Sequence, residues 1–309
     1  MRDDRLKTRT GFARLIRRPE FASLLGFIAI FVFFLSVAPA FRSFEALATT
    51  LYASSTLGIV ALAVGMLMIG GEFDLSSGVA VTTAALAATM LNYNLHLNSW
   101  VGAFLALGIS LAIGALNGFL VTRTGIDSFL ITLAAFLMLQ GLNLAVTKLV
   151  TGQVATPTIA DMEGFPSAHA VFAGEFHIGN VRISVTVLWW IFFVAVASFV
   201  LFRTKFGGWI TAVGGNADAA RAVGVPVRRV KILLFMGVGF AAWFVGMHTL
   251  FAFDSIQAGQ GVGNEFLYII AAVIGGCAMT GGRGTAVGTA IGALIFGMTN
   301  QGIVYAGWN

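Results

Sequence analysis

Charged residues are scarce in this sequence. Of its 309 residues, only 10% are Asp, Glu, Lys or Arg, whereas 58% are hydrophobic. A soluble globular domain carries roughly a quarter charged residues, so the composition excludes an ordinary water-soluble fold. The mean hydropathy of +0.91 is instead typical of a chain that folds within a lipid bilayer.

Cysteine and lysine are also rare, and each scarcity excludes a class of chemistry. The single cysteine, Cys277, lies in an apolar run and can form no disulfide within the chain. A P-loop for nucleotide hydrolysis needs a Lys directly after a Gly, and none of the four lysines follows a glycine. We therefore expect no ATP hydrolysis by this route.

Groupings of residues that could hold a metal or act as acid and base are missing too. The four histidines are scattered without an HExxH-like pair, and we interpret them as structural or solvated. They are His96, His169, His177 and His248. The one close acidic pair within the apolar region, Glu72 and Asp74, is thin support for a metal-dependent membrane enzyme. We predict a chain that is not an enzyme and has no metal site.

Long apolar runs dominate what is present. About 20 apolar residues cross the hydrocarbon core as a helix, and hydropathy predicts an all-α, polytopic transmembrane bundle of about nine or ten spans. The nine visible runs lie near residues 21–40, 46–69, 76–91, 100–121, 128–147, 185–202, 230–252, 265–279 and 286–307. Runs 76–91 and 265–279 are short and bordered by Gly-Gly, which is typical of broken or half-helices that line a cavity.

Positive charge is distributed unevenly along the chain. Seven Lys or Arg precede the first span, which predicts a cytoplasmic N-terminus. With alternating sides, eight further basic residues fall inside and three fall outside, so the net charge of +5 indicates orientation and not nucleic-acid binding. A cleaved signal peptide is the alternative, but the first run exceeds the roughly 7–15 residues of a signal core.

The predicted domain organisation is simple. A basic cytoplasmic segment, 1–20, precedes a single transmembrane domain, 21–309. Two connections exceed turn length. The outer one, near 149–184, is predicted to face a partner outside or to cap the bundle, and the inner one, near 203–229, is basic at both ends.

The stretch 70–78, GGEFDLSSG, predicts a helix break followed by a new helix N-terminus. A charged side chain in the bilayer costs about 2.5–3.5 kcal/mol and usually faces a cavity or a partner. Asp74 or Ser76 could cap the new helix, and lining of a solute path is the alternative. Our candidates for a translocation path or helix break are Glu72, Asp74, Ser76, Ser77, Asn117, Gln140, Asn143 and Asn300. Helix–helix hydrogen bonding explains the uncharged residues about as well.

The inner loop has a different character. Residues 218–224 can form about two helical turns with a small, smooth face and a glycine stop. Such an element suits docking into a groove of another protein, and an ordinary connecting helix is the alternative.

Four segments taken together resemble the permease subunits of ribose-type sugar ABC transporters, a family of bacterial inner-membrane proteins. They follow the family's order across almost the whole chain: GGEFDLSSG (70–78), NGFLVTRTGIDSFLITLAAFLMLQGL (117–142), AVGGNADAARAVGVPVRRVK (212–231) and IGGCAMTGGRGTAVGTAIGALIFG (274–297). Two positions depart from the family pattern, which commonly has Gly at Glu72 and Arg at Gln140.

The resemblance implies a multi-pass bacterial inner-membrane permease that translocates a simple sugar. It implies a separate ATP-binding subunit that holds ATP and Mg²⁺, with no cofactor on this chain, a periplasmic solute-binding protein, and a second permease chain in a homodimer or a mixed pair. It also implies one more helix after the glycine-rich stretch. The coupling loop to the ATPase would contain Gly214, Gly215, Asn216, Asp218, Ala219, Ala220 and Gly224. Two alternatives stay open: a branched-chain amino-acid ABC permease and an ion-coupled secondary transporter.

Overall fold

A computed structural model describes residues 19–308 of the chain. Within them the chain is almost entirely helical, with twelve α-helices, one 3-10 turn (Pro39–Arg42) and one β-hairpin. The helices are α1 (Pro19–Val37), α2 (Phe44–Ile69), α3 (Ser77–Leu95), α4 (Ser99–Thr124), α5 (Ser128–Thr151), α6 (Phe165–Phe172), α7 (Val185–Arg203), α8 (Lys205–Gly215), α9 (Ala217–Ala222), α10 (Val227–Phe253), α11 (Asn264–Ile274) and α12 (Ala286–Tyr305). The hairpin, formed by β1 (Glu175–Ile178) and β2 (Val181–Ser184), lies between α6 and α7.

The predicted all-α, multi-pass bundle is confirmed. Within residues 19–308, six helices are long and apolar enough to cross a membrane: α2, α4, α5, α7, α10 and α12. The two segments predicted as half-helices, 76–91 and 265–279, form helices of different length. Helix α3 has 19 residues, and α11 has only 11, which is about 16 Å at the rise of an α-helix. Residues 1–18, in the basic segment, lie outside the described residues, and the cytoplasmic N-terminus stays a prediction.

Helices α2 and α10 form the centre of the bundle. Two-thirds of the apolar window of each, 67%, is buried, compared with 17% for α5 and 22% for α7 at the periphery. Small residues allow close contact, as expected where lipid leaves little hydrophobic gain between helices. A Cβ added at Gly118 of α4 would lie 2.8 Å from the Cα of Ile232 in α10.

The outer loop caps the bundle on the side that the charge pattern predicts to be outside. Phe172, the last residue of α6, is buried among aromatic rings. Its ring centroid lies 5.7 Å from those of Trp243 and Phe251 on α10, and the ring of Phe251 is stacked on it. Such clusters add to the area that the rings bury, so α6 is held firmly over α10.

Residues 254–263, between α10 and α11, form an irregular segment that enters the bundle. Its first half pairs with the outer loop, because the Thr156 amide donates to the Ile256 carbonyl at 3.0 Å and the Ile159 amide donates to the Asp254 carbonyl at 3.0 Å. Its second half reaches the start of α3, where Gly261 packs against Gly78. Irregular backbone at this depth is tolerated where it lines a cavity.

Candidate functional site

Two adjoining cavities lie at the outer side of the bundle. The outer vestibule, about 830 Å³, is lined by the start of α2, by α6 and by the hairpin, and includes Glu45, Glu175 and Arg182. The inner cavity, about 430 Å³, lies between α2, α3, α10, α11 and α12. Thr49, Tyr52 and His248 line both cavities. The two cavities therefore lie next to each other, with these three residues between them.

A hydrogen-bonded group forms the boundary between the two cavities. The Nε2 atom of His248 lies 3.0 Å from the Tyr52 hydroxyl, and Nδ1 lies 2.8 Å from the Phe172 carbonyl oxygen and 3.0 Å from the Thr186 hydroxyl. A carbonyl oxygen can only accept, so Nδ1 carries the proton, and Nε2 of the neutral ring accepts from Tyr52. His248 is thus structural, as we interpreted it, and it also lines the cavities.

The inner cavity has a neutral polar lining. Its polar side chains include Thr56, Thr82, Gln260, Asn264 and Asn300. None of its lining residues is Asp, Glu, Lys or Arg. Of the eight predicted path or break residues, only Asn300 lines this cavity.

The acidic break lies at the opposite end of α3 from the vestibule. The Asp74 carboxylate accepts from the amide of Ser76 at 2.8 Å and from its hydroxyl at 2.6 Å. Asn117 on α4 donates to the same hydroxyl at 3.0 Å, and all three residues are buried. This network holds the start of α3 against α4.

Helix α5 accepts hydrogen bonds from two backbone amides of the break. The Phe73 amide donates to the Ser128 hydroxyl, and the Leu75 amide donates to the Thr132 hydroxyl, both at 3.0 Å. The Ser77 hydroxyl donates to the carbonyl of Asp74 at 3.0 Å. These bonds compensate for the helical bonds that the break removes.

The other two predicted residues lie on α5. Asn143 is buried, and its amide oxygen accepts from the Thr83 hydroxyl of α3 at 3.0 Å. Gln140 is half-buried, one turn earlier on the same helix. The structure therefore gives Asn143 the helix–helix hydrogen bond that was our alternative for these residues.

Glu72 forms a salt bridge with Lys231, near the start of α10. The side chains are only 8% and 20% exposed, so both charges are largely removed from water. Breaking a buried pair leaves one charge without compensation, whereas replacing both partners can be neutral.

We predict that Lys231→Met destabilises the protein and that the double variant Glu72→Gln/Lys231→Met recovers most of the loss. The single change should cost roughly 3 kcal/mol, since Glu72 stays buried and unpaired. Thermal unfolding of the purified chain in detergent measures it. Arg229→Met, an exposed cation on the same helix, is the matched control. Equal midpoints for Lys231→Met and Arg229→Met would show that the pair contributes nothing.

Three pairs of glycines meet beneath the bundle, and we call this contact the glycine junction: Gly70–Gly71, Gly214–Gly215 and Gly281–Gly282. The Gly282 amide donates to the Ile69 carbonyl at 2.8 Å. A Cβ added at Gly71 would lie 3.3 Å from the Cα of Gly214, and Gly71 has φ +82°. The junction therefore joins the break after α2, the end of α8 and the connection between α11 and α12.

The predicted coupling loop forms the short helices α8 and α9. The Asn216 side chain caps α9, accepting from the amides of Asp218 and Ala219 at 3.0 and 2.9 Å. Gly224, which has φ +88°, follows α9 and prevents the helix from continuing. Ala220 is only 3% exposed, so it packs against the bundle, whereas Ala219 faces away from it.

Tyr52, Thr82 and His248 were missed as cavity residues. One signal was present for Tyr52, because Thr49, Tyr52 and Thr56 lie at helical spacing in the run 46–69, and such a stripe indicates a polar surface. The neighbouring Thr50, Ser54 and Ser55 obscure the stripe, and it does not include Thr82 or His248. The residues contributed by the irregular segment had no such signal, since its path depends on pairing with the outer loop.

A multi-pass helical bundle with a neutral polar cavity on one side and exposed short helices on the other defines a membrane transport permease. The chain belongs to the family described as "Branched-chain amino acid transport system / permease component", whose sequence model matches residues 46–309. No solved structure is significantly similar to it.

Curated relatives cover most of the chain. The ribose import permease protein RbsC of Escherichia coli (strain K12) is 31% identical over 286 residues, which are 92% of this chain and 85% of that protein. The galactose/methyl galactoside import permease protein MglC of the same strain is 31% identical over 298 residues, 93% of this chain and 86% of that protein. The probable ABC transporter permease protein YphD, also from that strain, is 33% identical over 288 residues, 93% and 82% respectively.

Proposed function

We propose that this chain is the membrane-spanning subunit of an ATP-binding-cassette importer that carries a simple sugar across the bacterial inner membrane. The observation that carries the proposal is the inner cavity, which adjoins the vestibule and offers hydroxyl and amide groups without a charge. The relatives RbsC and MglC, named as ribose and galactose/methyl galactoside import permeases, support the same class of solute.

The proposed partners fit the two ends of the molecule. A separate ATPase subunit, with its ATP and Mg²⁺, would dock on α8 and α9, where Ala219 and Val223 are exposed. A periplasmic solute-binding protein would dock around the vestibule, and solute specificity would lie mainly in that protein. A second permease chain, most simply another copy, would complete the membrane unit.

The glycine junction suggests how nucleotide-driven movement reaches the cavity. Gly214 at the end of α8 contacts Gly71, which precedes α3, and Gly282, which precedes α12. Both of these helices line the inner cavity. A displacement of α8 and α9 would therefore move two walls of the cavity together, and this would open it alternately to each side.

The two alternatives agree less well with the site. An amino acid carries an ammonium and a carboxylate, and burying either without a charged partner is costly, yet the inner cavity lining supplies none. Ion coupling would use a carboxylate on the path. Glu72 is instead paired with Lys231, Asp74 is hydrogen-bonded to Ser76, and neither lines the cavity.

The test is affinity purification of the full chain from native membranes, together with uptake of radiolabelled D-ribose and D-galactose by energised cells. We expect a P-loop ATPase to co-purify and uptake to depend on ATP. Uptake that survives ATP depletion but stops when the proton gradient is dissipated would favour the ion-coupled alternative. Uptake of leucine but of neither sugar would favour the amino-acid permease.

A further inference from the structure

We propose that a groove between α2, α7 and α10 binds one anionic phospholipid, with an acyl chain in the groove and the headgroup on Arg203 and Lys205. The lipid would come from the leaflet on the side that the charge pattern predicts to be cytoplasmic. The groove shares no lining residue with the vestibule or the inner cavity. The site is therefore independent of the solute that the chain carries.

The groove is apolar and has the volume of a small-molecule site. It measures about 480 Å³, which lies within the roughly 300–1,000 Å³ of such sites. Its lining residues are all apolar or glycine, for example Met66 on α2, Phe193 on α7 and Leu233 on α10. An apolar space of this kind does not hold water, and the atoms around it gain dispersion contacts when an apolar group fills it.

The length of the groove fits a lipid chain better than a helix of another protein. On α10 the lining residues run from Leu233 to Ala241, which is about 12 Å at the rise of an α-helix. One leaflet contributes about 15 Å of hydrocarbon, whereas a docked transmembrane helix would cover the full core of about 30 Å. Just beyond the outer end of the groove, α2 and α7 meet, where the indole ring of Trp190 packs directly on Gly58.

Positive charge borders the inner end of the groove. Val200 lines the groove about one helical turn before Arg203, and Phe206 lines it directly after Lys205. Both basic residues are exposed, and none of the ion pairs within residues 19–308 includes either of them. Basic pockets between transmembrane helices on the cytoplasmic side bind anionic headgroups. The charge at this end therefore favours an anionic lipid over a neutral one.

Two other cations at the inner end of the bundle provide a matched comparison. The guanidinium of Arg228 on α10 lies 5.1 Å from the ring centroid of Phe119 on α4, and α4 contributes no residue to the groove. Arg123 is exposed in the last turn of α4. Replacing Arg123 and Arg228 thus removes two positive charges from the same surface and leaves the groove unchanged.

The proposed test measures lipid binding to the purified full chain by native mass spectrometry from detergent. The probes are dioleoylphosphatidylglycerol, which is anionic, and dioleoylphosphatidylcholine, which has the same acyl chains and no net charge. The variant Arg203→Gln/Lys205→Gln removes the headgroup contacts, and Arg123→Gln/Arg228→Gln is its control.

A second variant fills the groove itself. Gly237 lines the groove, and a Cβ added there meets nothing within 4 Å, so the side chain of Gly237→Leu enters the groove without displacing a neighbour. Gly108→Leu is the matched control, because Gly108 is an exposed glycine of α4 that also has nothing within 4 Å of an added Cβ.

The wild-type chain should bind one phosphatidylglycerol at least tenfold more tightly than phosphatidylcholine. Arg203→Gln/Lys205→Gln should weaken phosphatidylglycerol binding roughly thirtyfold, which is about 1 kcal/mol for each charge. Gly237→Leu should weaken the binding of both lipids, and the two controls should bind as the wild type does.

Equal affinities of the wild type and both site variants for phosphatidylglycerol would overturn the proposal. An equal loss in Arg123→Gln/Arg228→Gln would also overturn it, because the effect would then be one of net charge. If Gly237→Leu converts a dimer to a monomer in size-exclusion chromatography while phosphatidylglycerol binding stays the same, a second copy of the chain covers the groove and the lipid site is wrong. Each of these outcomes leaves the proposed transport function standing.

Discussion

Gly214→Ala should reduce ATP-driven uptake roughly tenfold, whereas Gly215→Ala should leave it near the wild-type rate. A Cβ at Gly214 runs into the carbonyl of Ile69 and lies 2.7 Å from the amide of Gly282, so α8 must move away from the break. Overpacking of this kind costs about 1–3 kcal/mol, and about 1.4 kcal/mol corresponds to a factor of ten.

Gly215→Ala is the matched control for Gly214→Ala. Gly215 is the next residue of the same helix, and a Cβ added there meets nothing within 4 Å. Uptake of the sugar and ATP hydrolysis should be measured on the same preparations, because an uncoupled junction would leave hydrolysis while transport falls. If the two variants transport equally well, the glycine junction does not transmit the movement of α8.

The helices of this fold were predictable because membrane spans are long apolar runs. Eight of the nine predicted runs match helices to within a few residues at most ends, for example 185–202 against Val185–Arg203. The exception is 265–279, where the helix ends at Ile274. Hydropathy cannot find that end, because no polar side chain follows it until Thr280. The helix ends at a pair of glycines, Gly275 and Gly276.

The outer loop was not predicted in detail for a different reason. The hairpin of β1 and β2 is only four residues long on each side, and α6 carries Pro166 and a packed Phe172 that depends on rings from α10. Short elements of this kind are stabilised by tertiary contacts and not by their own periodicity.

The predicted path residues lie in two different parts of the bundle, and the sequence could not show which residue belongs to which part. Glu72, Asp74 and Ser76 are close in sequence to the start of α3, and the structure places their contacts at the end of the bundle opposite the vestibule. Asn300 is far from them in the chain and lines the inner cavity instead. A polar residue in a span indicates a polar environment, but whether that environment is another helix or a cavity is decided by packing.

Val223→Asp should prevent the ATPase subunit from co-purifying, with an affinity loss of roughly thirtyfold. Val223 follows α9 and is 80% exposed, so the chain itself buries almost none of this valine. A central apolar residue of a docking surface contributes about 2 kcal/mol or more, which corresponds to that factor. Ala219→Glu, one turn earlier on the exposed face of α9, should act in the same direction.

The same substitution on the other side of the membrane is the matched control. Val154→Asp changes a valine in the outer loop that is 56% exposed, and it should leave ATPase recovery unchanged.

Ala220 is unsuitable as a test position because it is buried against the bundle, and a larger side chain there would disturb the loop itself. Recovery is measured by immunoblot after size-exclusion chromatography of monodisperse protein. Equal recovery with Val223→Asp and Val154→Asp would place the ATPase contact elsewhere than α9, for example on the exposed face of α8 around Trp209.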